Sequence, residues 1–315
     1  MKRIVTFILT LTCLTSTACQ KERGYTGFVD PSESSIVQMS ISTDKAMYAP
    51  GEKVTFTIEN PSSGSMKVRY RHLGEVMETA AVTDRIWTWT APDTDGAGYM
   101  AEVFLSSGDV EQTLATIAVD VSSDWKKFPR YGFLSSYQKM SKEASDKVIE
   151  KLNRLHINGV QFQDWHYKHH WPLAGTAEEP MQTYLDIASR TSSLTTIKNY
   201  ISSIHDRGMK AIFYNLCFGA LDDSATDGVK ESWHLYQDNE AEAKEVHELG
   251  APFKSSIYIT NPANSEWQEY IGNRNDDIYS VLDFDGYQID QLGDRGQHMT
   301  MTATRFIWPE HILPS

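Results

Sequence analysis

The chain has 315 residues, 40% of them apolar, which is enough for a substantial core and, by length, about two domains. Its formal net charge of -13 is not relieved by any concentrated run of Lys or Arg, which argues against nucleic acid as a partner and for a neutral or cationic ligand. Eight Trp and fifteen Tyr suit stacking on sugar rings and ordinary core packing equally.

Lys2 and Arg3 precede an apolar run, IVTFILTLTCLTSTA, too short to span a membrane comfortably and ending in small residues, so residues 1–18 read as a signal peptide. Two processing modes fit. Ser16 and Ala18 suit an ordinary signal peptidase, whereas STAC resembles a lipobox with Ser16 where Leu is usual and would place a lipid on Cys19. The lipidated form is the preferred expectation: an exported protein held at a bacterial outer membrane or cell surface through that anchor only, with residues 19–35 as a linker. A secreted or periplasmic protein is the alternative. Cys13 leaves with the signal and Cys217 stands alone, so no disulfide framework is expected.

From Ile36 to Ser122 the hydrophobic period is two. Val37, Met39 and Ile41, then Val54, Phe56 and Ile58, and later Ile117, Val119 and Val121 alternate with polar residues, and Pro50-Gly51 and Pro61 to Gly64 supply turns. Short strands at this density predict an immunoglobulin-like β-sandwich over residues 36–122. Trp87 and Trp89 share a strand face and form either a sugar platform or core. Residues Ser122 to Gly132 read as a linker.

Beyond it the pattern alternates helix and strand. Val148, Ile149, Leu152 and Leu155 follow a cap at Ser141; Ile197, Tyr200, Ile201 and Ile204 form a second apolar face closed by Gly208; Trp267, Tyr270, Ile271, Ile278 and Val281 form a third. The strands are RYGFLSSY, INGVQFQDW, MKAIFYN and FDGYQID. Such alternation predicts a doubly wound sheet or a (β/α)8 TIM barrel. No glycine-rich phosphate fingerprint follows the first strand, and polar strand ends favour the barrel; no cofactor is expected.

In GYQID, Tyr287 and Ile289 are expected on the helices, with Gln288 and Asp290 facing the barrel interior. Asp290 then stands at the C-terminal strand end, where barrel enzymes place their chemistry, unless it merely caps a following helix. Asp283 and Asp285 read as ending the preceding helix, and Asp294 as a supporting or loop acid. Asp164, Trp165 and His166 close the second strand, and Tyr214 and Asn215 the third; aromatic faces with forked polar groups suit pyranose rings. His166, His169 and His170 raise a metal reading, but they follow a strand near a proline instead of sharing a helix face, so no metal site is assigned.

The segments DWKKFPRYGFLSSY, GVQFQDWHYKHHWPL, MKAIFYN, YITNPANSEWQEYI and FDGYQIDQLGDRG together resemble the N-terminal half of glycoside hydrolase family 66, over Asp124 to Gly296. That family contains endo-dextranases and cycloisomaltooligosaccharide glucanotransferases, with an immunoglobulin-like domain before the barrel. The resemblance implies an α-glucan ligand, Asp290 as catalytic nucleophile, and sugar-binding roles for Asp164, Trp165, His166, Tyr214, Asn215 and Gln288. It also implies retaining cleavage of an α-1,6-glucan with a glutamate on a later strand as acid/base. Residues 123–296 supply only four of eight strands, and the tail 297–315 shows neither a helix nor a further strand-helix unit. Its single glutamate, Glu310, sits in an unlike context. The expectation is therefore the first half of a truncated barrel, without its acid/base residue and of doubtful activity. Three functions stand: a dextranase-like hydrolase, a cyclising glucanotransferase, and a non-catalytic glucan-binding surface lipoprotein.

Overall fold

The computed structural model describes residues 38–293 and 295–307. The segments expected as signal peptide and linker, with Cys19, Asp294 and Glu310, lie outside the described residues. Among those described, no helix is long and apolar enough to cross a membrane.

Among the described residues, seven antiparallel strands come first. Ser40–Thr43 (β1), Lys53–Glu59 (β2) and Ile86–Thr90 (β5) form one sheet in the order β1-β2-β5; Met66–His72 (β3), Glu75–Val82 (β4), Ala97–Ser107 (β6) and Val110–Val121 (β7) form another in the order β4-β3-β6-β7. The alternating residues of both sheets meet in one apolar cluster: Val54, Phe56 and Ile58 against Val68, Tyr70, Val103 and Val119. Trp87 and Trp89 belong to it. The Trp87 ring stacks on Phe56 at 5.1 Å and its Nε1 donates to the Tyr70 hydroxyl; Trp89 stacks on Tyr70 at 4.4 Å and donates to Glu78. Their faces are already used, so the platform reading gives way to core.

The next region is built on four parallel strands, Tyr131–Leu134 (β8), Gly159–Phe162 (β9), Lys210–Asn215 (β12) and Gly286–Ile289 (β17), in the order β17-β12-β9-β8. Helices Lys142–Arg154 (α1), Leu194–His205 (α2) and Ser265–Val281 (α3) connect them. Each start is capped. Ser141 accepts the Ala144 N–H, Ser193 that of Thr196, and Asn264 those of Glu266 and Trp267, satisfying donors that a helix leaves open. Ile149, Ile197, Ile201, Ile204 and Ile278 pack with Leu134, Val160, Phe162, Ala211 and Phe213 on one face of the sheet. Each fully buried Ile, Val or Phe among them contributes roughly 1.5–3 kcal/mol. Leu155 does not join them: it caps the C-terminus of α1 and is 68% exposed.

None of α1, α2 and α3 packs on the opposite face. In register across it lie Phe133, Gln161 and Ile212, with Tyr214 beside Gln288. Tyr131 and Phe133 are 62% and 65% exposed there. A cleft of 570 Å³ on this face is lined by Trp125, Tyr131, Gln161, Lys210, Ile212 and Gln288 among others. Asp285 does not end α3. Its carboxylate accepts from the Ala211 N–H, Lys210 Nζ and His205 Nε2, tying β17 to β12.

Short strands organise the loops beyond the sheet. Thr183–Leu185 (β10) pairs with Thr191–Ser193 (β11); Gly219–Ala220 (β13) and Val246–His247 (β15) flank Ile257–Ile259 (β16); and Leu235–Tyr236 (β14) pairs with Gln297–Thr300 (β18), which pairs with Arg305–Ile307 (β19). The last sheet takes in part of the tail, as a hairpin and not as a strand-helix unit. Residues 297–307 form a hairpin whose Phe306 is buried with Leu216, Phe218, Leu235, Ile257 and Ile259.

Candidate active site

The parallel strands bring their C-terminal ends together, and three predicted residues meet there. Asp290 follows β17 directly. Its N–H donates to the Asn215 carbonyl at 3.1 Å, extending the β12/β17 ladder by one bond, and its Oδ2 accepts from the Tyr214 hydroxyl at 2.8 Å. Parallel register explains the meeting: Tyr214 lies opposite Gln288, so both point to the face away from α1, α2 and α3, as does Asp290 two residues on. The chain then turns at Gln291, which holds a left-handed φ of 56°. A non-glycine residue pays for that conformation in strain, a feature common at functional sites. Burial foremost, then the hydrogen bond to Asp290, raises the Tyr214 phenol far above its ordinary range, so it remains a donor.

Asp164 approaches from β9. It too is left-handed, with φ 50°, a region aspartate tolerates better than most residues. Gln161 donates to the Gln163 side-chain oxygen, Gln163 donates to Asp164 Oδ1 at 3.0 Å, and Arg190 Nη2 lies 3.9 Å from Oδ2. Burial lifts the Asp164 carboxyl above the usual aspartate range; Gln163 and Arg190 oppose this, and the charges of Asp186 and Asp290 add to it. Arg190 also donates to the Ser135 and Asp164 carbonyls, joining the ends of β8 and β9.

Trp165, His166 and Asn215 are fully buried. The Trp165 ring packs against Phe213 and Phe284 on the helix side, and its Nε1 donates to the Tyr214 carbonyl at 3.2 Å. Asn215 Nδ2 donates to the His169 carbonyl, which orients the amide so that Oδ1 accepts from Leu216 N–H and from His169 Nδ1 at 2.8 Å. His169 is therefore assigned its proton on Nδ1, and His166 Nε2, 3.1 Å away, is the acceptor. Burial pushes the His169 imidazole down to about 4 and that of His166 well below its usual value. Both are neutral at pH 7 and act as a frame behind Tyr214. Gln288 is partly exposed, lines the cleft on the face away from these helices, and donates to the Ile289 carbonyl. Tyr287 packs as expected, stacked on Phe213 at 4.7 Å, but Ile289 is 36% exposed and does not join the apolar cluster.

Among the described residues, His170, Asp223 and Asp227 gather closely enough to hold a metal ion. Lys168 already supplies the positive charge, with Nζ 2.6 Å from a carboxylate oxygen of each aspartate. His170 Nδ1 accepts the Leu221 N–H, so its proton lies on Nε2 and is donated to Asp227 at 2.8 Å. The chemistry is that of a closed ion-pair network. Sequence reasoning did not find Arg190, Gln161 or Gln163, for none stands in a distinctive local pattern; the two left-handed residues, Asp164 and Gln291, likewise carry no glycine to mark them.

The family model described as glycosyl hydrolase family 66 matches residues 43–308, which extends the likeness through the antiparallel sheets as well. Two cycloisomaltooligosaccharide glucanotransferases of Niallia circulans are 30% and 32% identical, each over 81% of this chain and 28% of its own length. A dextranase of Streptococcus salivarius is 23% identical over 64% of this chain and 26% of its own. The crystal structure of a Paenibacillus sp. cycloisomaltooligosaccharide glucanotransferase complexed with cycloisomaltoheptaose superposes with a TM-score of 0.76 at 30% identity, covering 86% of this chain and 41% of that one. The chain thus spans under a third of the curated relatives' length. With the matched residues running through both the antiparallel sheets and the parallel sheet that carries Asp290 and Tyr214, the chain belongs to glycosyl hydrolase family 66.

Proposed function

We propose that this chain carries the nucleophile half of a retaining α-1,6-glucan-cleaving site, of the dextranase type, with Asp290 as the attacking carboxylate. The observation that supports this most directly is the Tyr214 to Asp290 hydrogen bond at the C-terminal end of a parallel sheet, which holds one carboxylate oxygen and leaves the other for the anomeric carbon. The two-sheet region suits an immunoglobulin-like sandwich, and the order β17-β12-β9-β8 suits the first half of a (β/α)8 barrel. In this reading Asp164 and Gln288 contact sugar, while Trp165, His166 and Asn215 support them from behind.

Expelling an unactivated sugar also needs a carboxylic acid about 5 Å across the scissile bond. The test therefore uses a substrate that needs none. An activated α-glycosyl fluoride should release fluoride slowly with this chain, and Asp290→Asn should abolish the release while leaving dextran binding largely intact. Release that survives Asp290→Asn would reject the assignment. Cyclising transfer is the second reading, favoured by the higher identity to the two glucanotransferases than to the dextranase; product analysis separates rings from linear oligosaccharides. Binding to dextran without any reaction of the fluoride would favour a non-catalytic surface lipoprotein. Export and lipidation at Cys19 belong to the same proposal: labelled palmitate should enter the wild type and not Cys19→Ala.

A further inference from the structure

We propose that Tyr214 is the positioning residue of the nucleophile, holding Asp290 Oδ2 so that Oδ1 is the attacking atom and assisting the carboxylate's later departure. The proposal rests on Asp290 being the nucleophile and replaces the sugar-contact role that the sequence suggested for Tyr214.

Two consecutive residues of β12 grip Asp290. The Tyr214 hydroxyl donates to Oδ2 at 2.8 Å, and the Asn215 carbonyl accepts the Asp290 N–H at 3.1 Å. This fixes both the main chain and the carboxylate. The tyrosine is itself held. Its carbonyl accepts from Trp165 Nε1, its ring lies 5.8 Å from that of His166, and the His166–His169–Asn215 chain packs behind it. Tyr214 is only 7% exposed, which leaves little surface to offer a sugar.

The chemistry gives this arrangement a specific consequence. In the first step Oδ1 gives an electron pair to the anomeric carbon as the bond to the leaving group breaks and the leaving group departs with that pair. Asp290 becomes an ester whose carbonyl oxygen is Oδ2. In the second step water adds to the anomeric carbon and loses its proton to base or solvent, while the carbon–Oδ1 bond breaks and its pair returns to the carboxylate. A donor at Oδ2 bonds more strongly to the departing carboxylate than to the ester carbonyl, because charge-assisted hydrogen bonds are the stronger ones. Tyr214 therefore favours the second step differentially.

The test compares wild type, Tyr214→Phe and Asp290→Asn in the full chain with an activated α-glycosyl fluoride. Tyr214→Phe should lower kcat by about 10- to 100-fold, the range for losing one donor to a charged oxygen in a preorganised site. Its KM should not rise, and intact-protein mass spectrometry should show more glycosyl adduct on Asp290 than in wild type. A raised KM with kcat within about twofold would overturn the proposal in favour of sugar contact. A parallel loss of kcat and melting temperature with no adduct would reduce Tyr214 to a structural residue and also overturn it. A readout independent of turnover is the Tyr214 hydroxyl proton, expected as a slowly exchanging downfield NMR resonance that is absent in Tyr214→Phe and moves upfield in Asp290→Asn; its absence from wild type would refute the hydrogen bond. If fluoride release survives Asp290→Asn, it is the nucleophile assignment that fails. If Asp290→Asn is dead and Tyr214→Phe is normal, Tyr214 alone fails.

Discussion

Replacing Asp186 by alanine should cost about 4 kcal/mol of stability, although this residue lies in a loop and outside the candidate chemistry. Its carboxylate is 1% exposed and accepts four hydrogen bonds: Ala188 N–H at 3.0 Å, Arg190 N–H at 3.0 Å, Arg190 Nε at 2.9 Å and Ser192 Oγ at 3.2 Å. Together they close the turn between β10 and β11. Removal strands two backbone donors and the buried Ser192 hydroxyl, each at roughly 1–3 kcal/mol before relaxation. The Arg190 guanidinium is more than a third exposed and regains water, so its share is small. These terms give about 3–5 kcal/mol, a large part of the 5–15 kcal/mol typical of a domain.

Two companion variants separate the contributions. Asp186→Asn keeps an oxygen for the two backbone donors but turns an amide toward Arg190 and Ser192, so it should cost about 2 kcal/mol; Arg190→Ala leaves three donors on Asp186 and should cost about 1 kcal/mol. Urea unfolding followed in parallel by tryptophan fluorescence and far-UV circular dichroism measures all three, with coincident transitions licensing two-state analysis. A loss below 1 kcal/mol in Asp186→Ala would refute the reasoning. So would an Arg190→Ala variant as unstable as Asp186→Ala, since the ion pair and not the turn would then carry the effect.

Stability should fall on acidification between pH 6.5 and about 4: His169 and His234 are both pushed down to about 4 by burial, so the unfolded chain binds protons there that the folded chain refuses. Each contributes up to about 3 kcal/mol, present above pH 6.5 and lost as pH falls through the window, and a urea midpoint flat from pH 7 to 4.5 would contradict this. Glu102, lowered to about 2 chiefly by Arg69, adds its own loss only at lower pH, from its ordinary range downward. Gly175→Ala should cost at least about 2 kcal/mol, because φ is 87° and a Cβ would sit 2.5 Å from the Glu179 carbonyl oxygen; Gly228→Ala, at φ 91° with open space around it, should cost only about 1 kcal/mol. Equal melting temperatures for the two variants would show that contact at Gly175 is relieved.

Much of the frame was legible because it is built from local regularities. The period of two placed Val54, Phe56 and Ile58 in a core, and the 3.6 period placed Ile197, Ile201 and Ile204 on a sheet. Ser141 was recognisable as a cap because serine before an apolar face has one cheap way to satisfy the first turn. The hairpin at 297–307 was not legible. Its strands are three and four residues long, too short for a period, and its partner β14 lies some sixty residues earlier, so its stability comes from a pairing that no local window contains.

The site was half legible for a reason that a single dihedral makes plain. Along β9, Val160 and Phe162 face the helices, so strict alternation sends Asp164 inward with them and Trp165 outward to a ligand. The left-handed turn at Asp164 breaks that parity: its carboxyl stays half-buried beside Gln163 and Arg190, and Trp165 swings into the core to brace the Tyr214 carbonyl. Nothing in a sequence of non-glycine residues announces such a turn. At β17 the equivalent left-handed residue, Gln291, comes after Asp290 and not before it, so alternation holds through Asp290 and its predicted direction survives. An aspartate was therefore readable as facing the site where the strand's regularity reached it, and the burial of a tryptophan was not readable where the strand had already ended.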